Sequence, residues 1–355
     1  MDLNFLDKMD FSALRADWFR HELIFKRPSG TSRGVLKSKN SYIIRIFKGE
    51  SLLSCSEVSL ISGLSLDEEA LIPGILDQFC EAIDSWKVFL DGRLESFPAV
   101  EFGIESLMMS LKYQVHHYFE NEFLTQKEIP INGLIWMGDP LFMKDQLDQK
   151  LAEGFKCVKL KIGAIDFSKE IGLLKYLREN FDSKQLEIRV DANGAFGVEK
   201  ALDRLKALSE FDLHSIEQPI KQGQWSEMAD LCSRTPLPIA LDEELIGVAS
   251  SKKRELLETI KPQYIILKPS LLGGFRRTQE WVDIADEMLI PWWVTSALES
   301  NVGLNAVAQY TSFLNATMYQ GLGTGALYEN NFESPLVVRD ACLRYDNTKE
   351  WGNIG

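Results

Sequence analysis

Between residue 10 and about residue 60, apolar and polar positions alternate in short segments. Ser41-Tyr42-Ile43-Ile44-Arg45-Ile46-Phe47 is typical, and Gly-containing polar turns separate the segments. A period near two is the pattern of strands, so this stretch predicts a β-rich unit. The period then lengthens. Residues 66–88 and 99–119 carry apolar side chains at 3.6-type spacing, with Pro98 set just before the second stretch, and predict two helices. Strands first and helices afterwards predict an α+β unit.

After about Glu128 the pattern becomes short apolar runs separated by amphipathic segments of helical length. The runs at 131–137, 157–162, 187–191, 213–217, 238–242, 264–268, 292–296 and 317–321 predict strands. Segments such as 167–180, 198–208, 224–232, 275–288 and 304–314 predict the intervening helices. Strict alternation of this kind favours a closed parallel barrel over an open doubly wound sheet. The tail from about Ala326 holds no further βα unit and is expected to return to the first domain.

Composition narrows the function classes. The chain has 355 residues, with 39 basic against 52 acidic side chains and a formal charge of −13. A phosphate backbone recruits basic surfaces, so nucleic acid is excluded as a main partner. No apolar stretch approaches the roughly 20 residues that span a bilayer, so no membrane partner is expected. Met1-Asp2-Leu3-Asn4-Phe5 lacks the basic-then-apolar order of a secretory signal. The five cysteines, at 55, 80, 157, 232 and 342, are scattered without a Cys-x-x-Cys pair. They read as reduced thiols of a cytoplasmic protein.

The informative feature is where ionisable side chains fall within the apolar runs. Lys161, Asp191, Glu217, Asp242, Lys268 and the polar Ser296 follow one another at intervals of 30, 26, 25, 26 and 28 residues. Each interval is one βα repeat, so each residue takes the same place at the C-terminal end of its strand, where parallel barrels carry their active sites. Side-chain alternation sets Val158, Leu160, Ile188, Val190, Ile216, Ile239, Leu241, Ile265 and Leu267 on one face. Lys159, Lys161, Arg189, Asp191, Glu217, Asp242 and Lys268 take the other. The aliphatic set suits the layer under the helices, and the charged set must then face the barrel interior.

Buried charges persist only when they neutralise one another or a bound ion. Asp191, Glu217 and Asp242 bring three hard oxygen donors with no His or Cys among them, a set that suits Mg²⁺ better than zinc or copper. Lys161 and Lys268 flank the trio. A cation on a substrate carboxylate acidifies the adjacent α-proton, and a lysine such as Lys161, with Lys159 and the ion close by, can remove it if nearby positive charge and partial burial lower its pKa toward neutrality. Lys268 is then a second acid/base or a cation opposite the developing anion.

Blander roles stand beside these. Asp191 alone could cap a helix, Arg189 could neutralise Asp191 or Glu187 in the barrel floor, and either Ser296 or Glu299 could cap the following helix. Gly321, Gly323 and Gly325 suggest close backbone approach to a ligand rather than a phosphate loop. His116 and His117 read as structural residues in mid-helix. Gly30-Thr31-Ser32-Arg33-Gly34 reads as a hairpin loop able to reach over the barrel mouth. The flexible composition of residues 28–34 and 62–66 marks both as cap loops that could set specificity.

These residues carry a resemblance. Lys159-Leu160-Lys161-Ile162-Gly163, Asp191-Ala192-Asn193-Gly194-Ala195, Ile216-Glu217-Gln218-Pro219, Leu241-Asp242-Glu243, Lys268-Pro269-Ser270 and Ser296-Ala297-Leu298-Glu299-Ser300 together resemble the enolase superfamily over nearly the whole chain. The two-lysine pattern resembles its muconate-lactonizing-enzyme subgroup, and the Lys-Pro-Ser, Ser-Ala-Leu-Glu-Ser and Gly-Thr-Gly segments look most like the branch that forms o-succinylbenzoate for menaquinone biosynthesis. The resemblance implies a modified (β/α)7β TIM barrel over residues 126–325. It also implies an α+β capping domain from residues 1–125, completed by 326–355.

It further implies a lyase that dehydrates 2-succinyl-6-hydroxy-2,4-cyclohexadiene-1-carboxylate with Mg²⁺, for which Mn²⁺ can substitute. In that reading Lys161 is the general base and then the acid for departing hydroxide, Lys268 stabilises the enediolate, and Lys159 tunes Lys161. Asp191, Glu217 and Asp242 bind the metal, supported by Asn193 and Glu243. Arg189, Ser296 and Gly323 contact the substrate carboxylates. The partner is a small-molecule carboxylate, and a homo-oligomer is compatible with the sequence. Three alternatives remain open: an N-succinylamino acid racemase, a dipeptide epimerase, and a non-catalytic carboxylate-binding barrel. Gly321-Leu322-Gly323-Thr324-Gly325 weakens the epimerase, which carries acidic residues there. The two inward lysines weaken the binder.

Overall fold

The computed structural model describes residues 3–31, 34–125, 127–136, 138–163 and 166–354. Three antiparallel strands, β1 (Leu14–Thr31), β2 (Gly34–Lys48) and β3 (Ser51–Ser59), open the chain in the order β1-β2-β3. Of the expected hairpin loop, Ser32 and Arg33 lie outside the described residues, as do Met137 of the first barrel run and Ala164–Ile165. Gly49, at φ +59, makes the two-residue turn from β2 to β3, a conformation that costs glycine little. Ile43 and Ile44 are both fully buried, which requires cover on both faces of the sheet and explains their unbroken apolar run.

One cover is the helix Pro98–Ser110, of which every residue is buried. It lies so close to β3 that a Cβ on Gly103 would meet Val58 at 2.6 Å. The other cover comes from the far end of the chain. Ile43 and Cys55 pack with Val302 and Ile354, and Arg45 Nη1 donates to the Ile354 carbonyl at 2.9 Å. The strands β12 (Leu336–Arg339) and β13 (Cys342–Tyr345) form a small antiparallel sheet with β4 (Ile129–Pro130).

Two helix expectations need correction. The stretch 66–88 is not one helix but a ten-residue α-helix, Ile72–Glu81, flanked by the short helical turns Glu69–Leu71, Ile83–Ser85 and Trp86–Val88. The chain leaves helical geometry at Ala82 (φ −138°, ψ 55°), and beyond the break Ile83, Trp86, Phe89 and Leu90 all enter the core. The second helix ends at Ser110, so His116 and His117 are not in mid-helix. His116 instead has φ +66°, stacks on Trp351 at 3.8 Å between ring centroids, and lies 3.3 Å from Cys55 Sγ.

Burial holds the His116 pKa down at about 3, well below its ordinary 6.5. A depressed folded pKa means stability that is present above 6.5 and lost as the pH falls toward 3, to a total of about 5 kcal/mol. Asparagine tolerates the left-handed backbone. In His116→Asn, urea midpoints followed between pH 7 and 4 are therefore expected to show a shallower acid loss than in the parent. Burial pushes Glu105 up to about 7 and Asp67 up to about 6, an opposite contribution lost as the pH rises through those values. That contribution is common to both proteins and cancels in the comparison.

The barrel strands are β5 (Gly133–Ile135), β6 (Cys157–Lys161), β7 (Glu187–Asp191), β8 (Ser215–Glu217), β9 (Ile239–Leu241), β10 (Tyr264–Leu267) and β11 (Trp292–Val294). All pair in parallel and in sequence order. The eighth position is held by one isolated bridge on each side rather than by a full strand. Gln320 bridges Ile131 and Gly321 bridges Thr295, both in parallel, which closes the ring between β5 and β11. The helices Phe167–Asn180, Val198–Ser209, Trp225–Arg234, Gly274–Glu287 and Asn301–Phe313 follow the predicted segments. Pro140–Ala152 and Lys253–Ile260 complete the alternation. Among the described residues no helix is long and apolar enough to cross a membrane.

Strand parity holds. Leu160, Val190, Ile216, Leu241 and Leu267 join the main core beneath the helices. Ala240, Ile266 and Trp293 form a separate cluster inside the ring. The N-terminal unit docks onto the barrel through carboxylates at helix N-termini, where backbone N–H groups attract negative charge. Glu105 accepts from the backbone N–H of Phe275 and of Arg276, and a Cβ on Gly274 (φ +91°) would meet its oxygen at 2.1 Å. Glu57 accepts from Ser300 N at 2.9 Å and Gly303 N at 3.0 Å.

Candidate active site

Three consecutive strands, β7, β8 and β9, end in Asp191, Glu217 and the residue after Leu241, Asp242. Each carboxylate is at most 2% exposed. Charges so deeply buried need partners, and the neighbouring strands supply them. Lys159 Nζ donates to Glu217 Oε2 at 2.7 Å and lies 3.2 Å from Asp191 Oδ2. Lys161 Nζ donates to Asp191 Oδ2 at 3.1 Å and to Asn193 Oδ1 at 2.8 Å. Lys268 Nζ donates to Asp242 Oδ2 at 2.5 Å.

The electrostatics follow from these contacts. Burial alone would lower the Lys159 pKa, but the carboxylates of Glu217, Asp191 and Asp242 outweigh it and raise it. Lys268 goes up for the same reason, against its own burial, through Asp242 and Glu243. Asp191 is also penalised by burial, yet Lys161, Lys159 and Lys268 drive it below the usual carboxylate range. Glu217 has mainly Lys159 to offset its burial, which pushes it up to about 7.

A cavity of about 330 Å³ opens above this cluster. Lys159, Lys161, Lys268, Asp191, Asn193 and Ser296 border its polar end, and Gly323 borders it as well. Leu36, Ile61, Leu134, Trp136 and Leu298 make its apolar wall. Two strands that bracket the acid trio, β6 and β10, thus deliver Lys161 and Lys268 to a single cavity.

Asn193 and Glu243 stand where the sequence placed them, beside the cluster. Asn193 Nδ2 donates to Glu243 Oε1 at 3.0 Å, and its N–H donates to Asp191 Oδ1. Asp191 caps no helix, because Gly197 occupies the N-cap of Val198–Ser209. The cap of Asn301–Phe313 is Ser300, not Ser296 or Glu299. Ser296 Oγ instead donates to Glu299 Oε2 at 2.6 Å and lies 2.7 Å from Thr324 Oγ1.

Arg189 is not brought to the cavity. It is fully buried in the barrel floor, with Nε on Glu187 at 2.7 Å, Nη1 on the Tyr319 carbonyl at 2.9 Å and its guanidinium 4.1 Å from the Trp293 ring. Its charge is spent on Glu187 below, so the structural role wins over the substrate contact. Of the three glycines, Gly321 and Gly323 border the cavity and Gly325 does not, and Gly321 and Gly325 are also closely backed by protein. A Cβ there would meet Thr295 at 2.5 Å and Asn301 at 2.7 Å.

Gln218 carries a role that strand alternation does not predict. At φ +36° it is fully buried, and its Oε1 accepts from Asp242 N and Glu244 N while its Nε2 donates to Glu244 Oε2 at 3.0 Å. It is a bracket that sets the backbone of Asp242. Its place directly after Glu217 was the available signal.

Among the described residues no three His, Cys, Asp or Glu side chains stand close enough to hold a metal ion as a group. The trio is held by the lysines instead. The donor set nonetheless fits a divalent cation: all donors are carboxylate oxygens, and Glu217 Oε1 is buried without a hydrogen-bond partner.

Fold and site together define a barrel enzyme of the enolase type, and the chain belongs to the Enolase C-terminal domain-like family, whose profile matches residues 143–349. An o-succinylbenzoate synthase from Desulfotalea psychrophila is 49% identical, over 94% of this chain and 99% of that protein. The crystal structure of MenC from the same organism has a TM-score of 0.83 at 45% identity, covering 94% of this chain and 100% of that one. A dipeptide epimerase from Cytophaga hutchinsonii, complexed with Mg and the dipeptide D-Ala-L-Val, shares the fold at 19% identity. Its TM-score is 0.80, over 93% of this chain and 92% of its own.

Proposed function

We propose that this chain is a lyase that dehydrates 2-succinyl-6-hydroxy-2,4-cyclohexadiene-1-carboxylate to o-succinylbenzoate, the reaction of menaquinone biosynthesis, with Mg²⁺. The observation that carries this reading is the delivery of Lys161 and Lys268 to one cavity from strands on either side of a buried acid trio. The near full-length likeness to an o-succinylbenzoate synthase supports it. Asp191, Glu217 and Asp242 would hold the cation, which supplies electrostatic stabilisation of charge developing on the ring carboxylate.

The chain's own groups do the proton work. Lys161, aimed by Asn193, takes the proton from the ring carbon that bears the carboxylate. Lys268 stays charged, as its raised pKa favours, and faces the electron density left behind. The carbon–oxygen bond to the ring hydroxyl then breaks with its electron pair on oxygen. Lys161 returns its proton to that oxygen, water leaves, and the ring becomes aromatic. A single lysine serving both transfers makes the elimination syn. Lys159, pinned between Glu217 and Asp191, moves no proton and holds the two carboxylates together. The apolar wall shelters the diene from solvent.

Among the described residues that line the cavity, Asp191 is the only carboxylate, which disfavours a substrate bearing a free ammonium group, such as a dipeptide. The test is turnover of the cyclohexadiene, followed by aromatic absorbance with and without Mg²⁺, beside racemisation of N-succinyl amino acids. Mg²⁺-dependent appearance of the aromatic product is expected. Racemisation with the cyclohexadiene left untouched would overturn the assignment.

A further inference from the structure

Leu298 forms part of the cavity wall, yet its backbone sits at φ +62°, in the left-handed region that a branched side chain avoids. Such a conformation persists only where its surroundings over-determine it. Its carbonyl oxygen accepts two hydrogen bonds from distant parts of the chain. Tyr328 Oη donates at 2.6 Å and Lys39 Nζ at 2.7 Å. Lys39 lies on β2, 259 residues from Leu298 in sequence, and is only 8% exposed. Its ammonium also donates to Ser59 Oγ on β3.

The ammonium group stands in the field of two buried carboxylates, Glu57 and Glu299. Glu57 holds the N-terminus of Asn301–Phe313, and Glu299 accepts from Ser296 Oγ, Ala297 N and Ser270 Oγ. Ser270 lies two residues after Lys268. A second cavity, of about 160 Å³, borders Lys39 on the β1–β2 side and shares Leu36, Ile61 and Ser62 with the first. Lys39 therefore stands in the partition between the two cavities.

We infer that Lys39 is a positioning residue: with Tyr328 it clamps the Leu298 carbonyl, holds that residue left-handed, and so fixes the wall against which the substrate lies. Lys39 is outside the cavity lining and touches none of the reacting groups, so its effect falls on binding more than on chemistry. The inference deepens the proposed dehydration, and one readout does not depend on that reaction.

Hydrogen exchange provides that readout. In Lys39→Met, amides of residues 296–300 are expected to exchange at least about tenfold faster, with the barrel floor around Arg189 and Trp293 unchanged. For the dehydration, KM is expected to rise about tenfold with kcat within about twofold. A double-mutant cycle separates clamping from general stability. Glycine adopts φ +62° at little cost, so in the Leu298→Gly background Lys39→Met should raise KM by no more than about threefold.

If Lys39→Met does not fold, Tyr328→Phe removes the other donor while leaving every charge in place, and should raise both KM and local exchange in the same direction. Unchanged exchange over 296–300 in a folded Lys39→Met or Tyr328→Phe protein overturns the inference. So does a KM penalty of equal size in the two Leu298 backgrounds. Parent protein without dehydratase activity sinks the proposed reaction but leaves the exchange result to decide on the clamp.

Discussion

Lys161→Ala is expected to cut turnover of the cyclohexadiene by about 10⁴-fold, near the upper end of what a general acid–base residue contributes, because one amine serves in both proton transfers. The cation site should survive. Asp191 keeps Lys159 at 3.2 Å, and removing a positive group from its neighbourhood leaves divalent affinity unchanged or tighter. Calorimetric titration of the variant with Mg²⁺, beside single-turnover kinetics, separates the two effects. Turnover within tenfold of the parent would reject Lys161 as the base.

Asp242→Ala should fail in the complementary way. Asp242 is 2% exposed and is the hydrogen-bonding carboxylate of Lys268. Its loss removes one hard donor and takes from the buried Lys268 ammonium its hydrogen-bonding carboxylate. Divalent affinity is expected to fall at least about a hundredfold, as read by Mn²⁺ or Mg²⁺ titration. The charge balance sharpens the expectation. With the buried Glu243, whose field also reaches Lys268, the carboxylates of Asp191, Glu217 and Asp242 outnumber Lys159, Lys161 and Lys268 by one, so a bound divalent cation leaves the site net positive and an anionic substrate offsets that charge. Cation and substrate should each tighten the other's binding, and Asp242→Ala should weaken that coupling. Divalent affinity equal to the parent's would remove Asp242 from the ligand set.

Much of the barrel was legible because its signal is local. Strands of three to five residues with aliphatic side chains on alternate positions, repeated every βα unit, fix which side chains face inward. They do not fix which way an inward side chain runs along the barrel axis. Lys159 and Arg189 are register partners on β6 and β7. Lys159 reaches up to Glu217 and Asp191, whereas Arg189 reaches down to Glu187 and Tyr319. The difference lies in where each finds an acceptor, which alternation cannot encode.

The same limit explains the helices that broke. The 3.6-residue period continues through Ala82, but Ile83 and Trp86 meet the core only because the chain turns there. Lys39 and Gln218 escaped notice for a related reason. Their partners, Leu298, Glu244 and Asp242, are set by tertiary geometry, and only Gln218, directly after Glu217, is marked by its place in the sequence.

The sheet made by β1, β2 and β3 is finished by residues about 300 positions further along the chain. Arg45 and Ile43 wait for Ile354, and Cys55 and His116 wait for Trp351 nearby, across 309 positions in the case of Arg45. At ribosomal speeds of roughly 5–20 residues per second, that interval is on the order of tens of seconds. Through it the nascent chain carries the strand segment Ile43-Ile44-Arg45-Ile46 without its final cover, a surface suited to mispairing with other emerging chains. The vulnerability of this protein during synthesis therefore lies at β2 and β3, while the event that ends it is the arrival of Trp351 and Ile354.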